Sequence, residues 1–197
     1  MAIAEQKYIK LHNSAISSLT ERGNMCDKGY SHLLRADTPE KLAAVVRLYW
    51  PELNREKFWL DFQPLLQKYY QEQKEVFHKY RIYYNEDAAD GFCIVDGNAD
   101  KPVMLSGQTR AVVHDNASVA ASQGTHVTAF DQAEVMASGM SHINAYHYAT
   151  VYASGQTTVR LSDTSHCIAD GSVTVYMSDH TTIENKRAYR IYYPTKS

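Results

Sequence analysis

The chain has 197 residues, 44% hydrophobic and 21% charged, with a formal net charge of -2. That is a globular composition with room for one domain or two small ones, and it excludes both a disordered chain and a broadly basic nucleic-acid binder. No stretch approaches the roughly 18 apolar residues of a membrane span, the opening residues lack the apolar run of a signal peptide, and Cys26, Cys93 and Cys167 form neither a disulfide framework nor a Cys-x-x-Cys knuckle. A soluble cytoplasmic protein with reduced thiols and no cofactor is expected.

Charge divides the chain. Residues 1–100 carry 28 of the 42 Asp, Glu, Lys and Arg residues, residues 101–184 carry 10, and residues 185–197 carry 4, all basic. The first part reads as helices. Tyr8 to Leu19 has a weak helical pattern closed by Gly23. Thr38-Pro39 is a cap with proline in the first turn, followed by the apolar face of Leu42, Val45, Val46 and Tyr49 before Trp50-Pro51. Asn54 can cap a short helix through Phe58 and Leu60, and a stripe of Leu65, Tyr69, Val76 and Tyr80 marks a longer helix beginning near Pro64. These four or five helices form a head over residues 1–92.

From residue 101 the sequence repeats every eight residues. Eleven rows align without a gap, from KPVMLSGQ to TTIENKRA. Their third column runs Val103, Ala111, Val119, Val127, Val135, Ile143, Val151, Val159, Cys167, Val175 and Ile183, and the fifth column is equally apolar from Leu105 to Met177. Alternation of this kind marks a short strand with one buried face. The bends show a longer period: Gly107, Gly139, Gly155 and Gly171 fall in one, and Asp115, Asp131, His147, Asp163 and Asp179 in the other. The expected fold is therefore α+β, with a helical head and then a two-sheet β-solenoid of 16-residue coils over residues 93–184. About five coils are expected, closed by a basic capping strand over residues 185–197. Glycine relieves the left-handed strain of one bend, and aspartate is expected to accept its own backbone N–H in the other.

Sixteen-residue coils set the outward residues in columns. One face carries Arg110, His126, His142, Thr158 and Thr174, then Val112, Thr128, Asn144, Arg160 and Tyr176, then His114, Phe130, Tyr146, Ser162 and Ser178, with a mixed imidazole and aromatic patch around His126, His142, Phe130, Asn144 and Tyr146 suited to a protein partner or a flat ligand. His126 and His142 are close enough to share a metal but lack a third ligand, so no metal is expected. The other face has Met104, Ala120, Met136, Tyr152 and Ile168 down its centre; Met104, Met136, Tyr152 and Ile168 are expected to be covered by the head or by a second copy in a homodimer. The acidic bend column reads as turn formers, or else as a cation site between coils, with His147 set between Asp131 and Asp163.

No nucleophile constellation emerges, and Cys26 with His32 reads as packing. Asp96-Gly-Asn98-Ala-Asp100 begins like a calcium loop but has Lys101 and Gly107 where that loop needs glycine and glutamate, so it reads as a turn into the first coil. The segment from Leu19 through Cys26, Gly29, Tyr30, Leu33 and Leu34, with Thr38 to Leu42 ahead of the octads, resembles a group of uncharacterised bacterial and prophage proteins. These join a Cys-x-x-Gly-Tyr helical segment to rows like Ala-Thr-Val-x-Ala-Tyr-Asp-Ser. The resemblance implies a β-solenoid of bacterial or phage origin and brings no activity with it. The expected function is a non-enzymatic interaction protein. The competing expectation is a saccharide or small-ligand binder, or an enzyme, using the face of Arg110, His126, His142 and Tyr146.

Overall fold

A computed structural model describes residues 27–50, 56–178, 180–185, 187 and 190–193. The expected helix over Tyr8 to Leu19, Cys26, the Asn54 cap, Asp179, and tail residues Lys186, Tyr189 and Lys196 lie outside the described residues. The chain divides into two compact units, Met1–Ile82 and Tyr83–Ser197.

The first unit contains α1 (Asp27–Leu34), α2 (Pro39–Leu48) and α3 (Glu56–Lys79). Thr38 caps α2 as its sequence dictates: its side chain accepts the Lys41 N–H at 3.3 Å, and Pro39 fills the first turn. Leu42, Val45 and Val46 are buried. The break expected at Pro64 is absent, and one 24-residue helix runs through it. Proline there forgoes a single backbone bond; the helical path fails instead at Gln73 (φ -132°). His32, read as a packing residue, bonds the Tyr49 hydroxyl through Nδ1 at 3.0 Å. No described helix is long and apolar enough to cross a membrane.

The second unit is the solenoid. Its strands are β1 (Ile82–Tyr84), β2 (Phe92–Val95), β3 (Val103–Leu105), β4 (Arg110–Val113), β5 (Ser118–Ala121), β6 (His126–Ala129), β7 (Glu134–Ala137), β8 (His142–Ala145), β9 (Thr150–Ser154), β10 (Thr158–Leu161), β11 (His166–Asp170), β12 (Thr174–Met177), β13 (Thr182–Asn185) and β14 (Arg190–Tyr192). Even-numbered strands, with β1 at the edge, make an eight-stranded sheet, and β3 to β13 make a six-stranded one. Pairing is parallel and advances 16 residues per coil, as in Val119↔Val135, Val135↔Val151 and Val159↔Val175. Successive octads thus alternate between sheets and wind into about six turns, one more than the octad rows give. The extra turn arises because Phe92–Val95 already pairs with β4, so the boundary expected at residue 93 falls inside a strand. The tail joins the eight-stranded sheet through Thr174↔Arg190 and Tyr176↔Tyr192.

The spine is as dry as the alternation demands. Val135, Val151, Val159 and Val175 are fully buried, as are Ala129, Ala145 and Ala169. From Thr109 to Val173 the first column of the octads also faces inward, and its small hydroxyls donate to bend carbonyls three residues earlier: Ser141 to Ser138 O at 2.7 Å, Thr157 to Ser154 O at 2.6 Å, Ser165 to Ser162 O at 2.7 Å. That explains Thr and Ser in a column that is otherwise alanine and valine, since a buried hydroxyl is tolerated only when bonded. The exposed edge of β3 is covered by the segment before β2: Ala88 bridges Leu105, and Asp87 accepts the Met104 N–H at 2.9 Å. Nearby, the fully buried Asp96 accepts from Tyr84 Oη, from Asn85 Nδ2 at 2.7 Å and from Asn98 N at 2.9 Å. Burial pushes its pKa up, but the bonds from Asn85, Tyr84 and Asn98 outweigh this and hold it below the usual carboxylate range. Asp96 closes the turn into the first coils.

Candidate interaction surfaces

Every bend residue of the solenoid's two corner columns adopts left-handed backbone. One column is Gly107, Gln123, Gly139, Gly155 and Gly171; the other, in the described residues, is Asp115, Asp131, His147 and Asp163, with φ between 54° and 58°. The aspartates do not accept their own N–H as expected. Each reaches one coil back: Asp131 Oδ2 accepts the Asp115 N–H at 3.2 Å, Asp163 Oδ2 accepts the His147 N–H at 3.1 Å, and Asp115 Oδ2 accepts the Gly97 N–H at 3.4 Å. The reason is the backbone ladder. It continues around the corner through the following residue, as in Gln132 N to Asp115 O at 2.8 Å, which leaves the left-handed residue's own N–H open to a side-chain acceptor from the next coil. Gln123 does the same in the glycine corner, accepting the Gly107 N–H at 2.9 Å. An acidic column with like charges in register is thereby accounted for.

One ligand atom each from His114, Asp115 and Asp131 falls within 4.8 Å of the others. The Asp131 oxygens are already engaged, Oδ2 with the Asp115 N–H and Oδ1 with His147 Nδ1 at 3.1 Å. The cluster is therefore read as corner structure.

The eight-stranded face gathers most of the residues expected there. Arg110, His126 and His142 stand side by side in one column, with the two imidazoles stacked at 4.8 Å and 16° between planes. Burial, the neighbouring His142 and then Arg110 lower the His126 pKa, so its ring resists protonation. Asn144 lies in the next column, in register with Thr128 and Arg160. The third column departs from expectation. His114 is only 2% exposed and Phe130 8%, so neither is an outward contact residue. These positions sit where the strand ends and the chain bends, and alternation no longer sets the side-chain direction there. Phe130 stacks on the half-buried Tyr146 at 5.2 Å and leans on His147 at 5.8 Å. Val112, which heads the central column, is buried as well.

Further down the same face the central outward column continues into Arg160 and Tyr176, as its spacing predicts. The Arg160 guanidinium lies 5.5 Å from the Tyr176 ring centre, and Tyr176 stacks on Tyr192 at 4.7 Å. Tyr192 lies beyond the octad rows, so the columns do not reach it. Among described outward positions from β4 to β14, this face has Arg110, Arg160 and Arg190 and no Asp or Glu.

The six-stranded face is of opposite character. Met104 (56% exposed), Met136 (45%) and Tyr152 (42%) stand out from it, with Ile168 half-buried. Together with Ala121, Ala137 and Ala153 they line a shallow groove of about 440 Å³, with Asp170 at one side. Among described outward positions, this face carries Glu134, Asp170 and Glu184 and no Lys or Arg. The two described cysteines lie buried in the spine; burial raises both thiols, Cys167 to about 12, so neither is a ready nucleophile at neutral pH. No family model matches this chain, and neither a curated protein nor a solved structure does.

Proposed function

We propose that the protein is a non-enzymatic interaction module that presents its eight-stranded face to an acidic surface of a protein partner. The observation that carries this reading is the charge of that face: three arginines and two stacked histidines at outward positions, with no carboxylate among them. Such a field speeds encounter with an acidic partner and rejects a basic one. Arginine and tyrosine are also the side chains that most often anchor interfaces. Backbone hydrogen bonds run through strands and corners alike, so the surface is ordered before binding and little entropy is lost on contact.

Ring stacking speaks against the saccharide reading. His126 with His142 and Tyr176 with Tyr192 each cover one ring face on the other, which leaves fewer open faces for a sugar to stack on, and Phe130 is buried against Tyr146. The test is affinity capture from a host lysate with the wild-type chain and with Arg110→Glu/Arg160→Glu and His142→Ala variants whose melting is unchanged. A partner held by the wild type should be lost from the arginine variant, a weakening of about tenfold or more, and released by salt. Retention of the same partner by both variants would overturn the reading, as would a sugar bound in the arginine columns.

A further inference from the structure

The groove on the six-stranded face is a second site, and its chemistry is independent of whether the arginine face binds anything. Its floor is alanine, and its ridges are Met104, Met136, Tyr152 and Ile168. The serines beside it turn their hydroxyls to backbone carbonyls of the preceding coil, Ser122 to Leu105 O at 3.4 Å and Ser154 to Ala137 O at 3.3 Å, which leaves the channel more apolar than its composition. Exposed methionines and a tyrosine on a rigid sheet make an adaptable apolar contact surface. Ala120 interrupts the ridge between Met104 and Met136, which opens the channel at that coil.

Two considerations choose the occupant. A second copy packed face to face would set Glu134, Asp170 and Glu184 of one chain against the same carboxylates of the other, with no Lys or Arg at outward positions to offset them. The face is also small. Six strands of three to five residues span roughly 24 by 15 Å, about 360 Å², under half the ~800 Å² per partner of a standard interface. A peptide segment has neither difficulty. From the Met104 coil to the Ile168 coil is roughly 19 Å, the length of about six extended residues or about thirteen helical ones. We infer that this groove docks an amphipathic segment of another protein that carries apolar side chains for the methionine and tyrosine ridge and lysine or arginine for the Glu134, Asp170 and Glu184 rim.

The probes are three labelled peptides, one alternating leucine and lysine, one leucine and glutamate, one serine and lysine, titrated against the full chain by fluorescence anisotropy. The leucine–lysine peptide should bind saturably and the other two at least about tenfold more weakly. Tyr152→Ser should weaken it about tenfold. Glu134→Lys/Asp170→Lys should do likewise while improving the glutamate peptide, and Arg160→Glu on the opposite face should not weaken it. Thermal melts show that each variant is folded, and the tyrosine and rim variants, on separate coils, test the site independently. Equal binding of the lysine and glutamate peptides, or indifference to both Tyr152→Ser and the rim reversal, would overturn the inference. So would a concentration-dependent dimer in sedimentation that Tyr152→Ser abolishes, which would assign the groove to a second copy.

Discussion

The two sheets of the solenoid share one dry spine and one 16-residue pitch, yet their outer faces have opposite chemistry. Among the described outward positions, one is arginine, histidine and aromatic without a carboxylate; the other is methionine and tyrosine with an acidic rim and without a lysine or arginine. Folding constrains the inward columns tightly and the outward columns hardly at all beyond solubility. The segregation of charge between faces therefore carries information about partners that the spine cannot carry.

The comparison is broken most completely at the spine. Val151 is fully buried between coils, so Val151→Asp leaves an unpaired charge with no route to water and should cost several kcal/mol. Loss of the cooperative melt in far-UV circular dichroism, with both faces lost together, is the expected result.

The corners sharpen the contrast at intermediate size. Gly139 has φ +66°, and a Cβ there would lie 2.9 Å from the Gln123 nitrogen, so Gly139→Ala should cost about 2 kcal/mol or more. Asp163→Ala places alanine at φ 57° and removes the acceptor of the His147 N–H, for about 1–2 kcal/mol. Asp163→Gly keeps the backbone freedom and loses only the acceptor, so it should cost less. Denaturant midpoints for the three variants separate these contributions.

The smallest expected effect is a pH dependence confined to the arginine face. His126 is held below its ordinary pKa, so the unfolded chain binds this proton more readily than the folded one. Stability contributed by neutral His126 is thus present above about pH 6.5 and is lost as pH falls from there towards the folded pKa. The melting temperature should change by less than about 2 °C, because the ring is exposed. An NMR titration should find His126 below the free imidazole, rising in His142→Gln and Arg110→Gln variants, while the groove face is unaffected.

Much of this was legible from spacing alone. Eight-residue self-similarity placed the spine, both corners and the contents of each face, because a parallel coil turns sequence period directly into vertical register. What spacing could not supply lies where periodicity ends. His114 and Phe130 come directly after the last strand position, at the start of a bend, where inside and outside are decided by the turn. The knot of Tyr84, Asn85 and Asp96 joins residues 11 and 12 apart that belong to no repeat. Pro64 looked like a helix boundary because local propensity disfavours it, and the helix runs on regardless.

The corner aspartates reach one coil back, and that governs how the chain can wind. Both bends are left-handed, so backbone geometry alone would let the winding chain slip by a single octad, exchanging the sheets and turning the lysine-free face to where the arginines belong. In a slipped pairing a glycine, which carries no acceptor, would stand where Asp131 and Asp163 take the N–H groups of Asp115 and His147. The aspartate column thus favours the native winding over its single-octad alternative by the hydrogen bonds the alternative would lose.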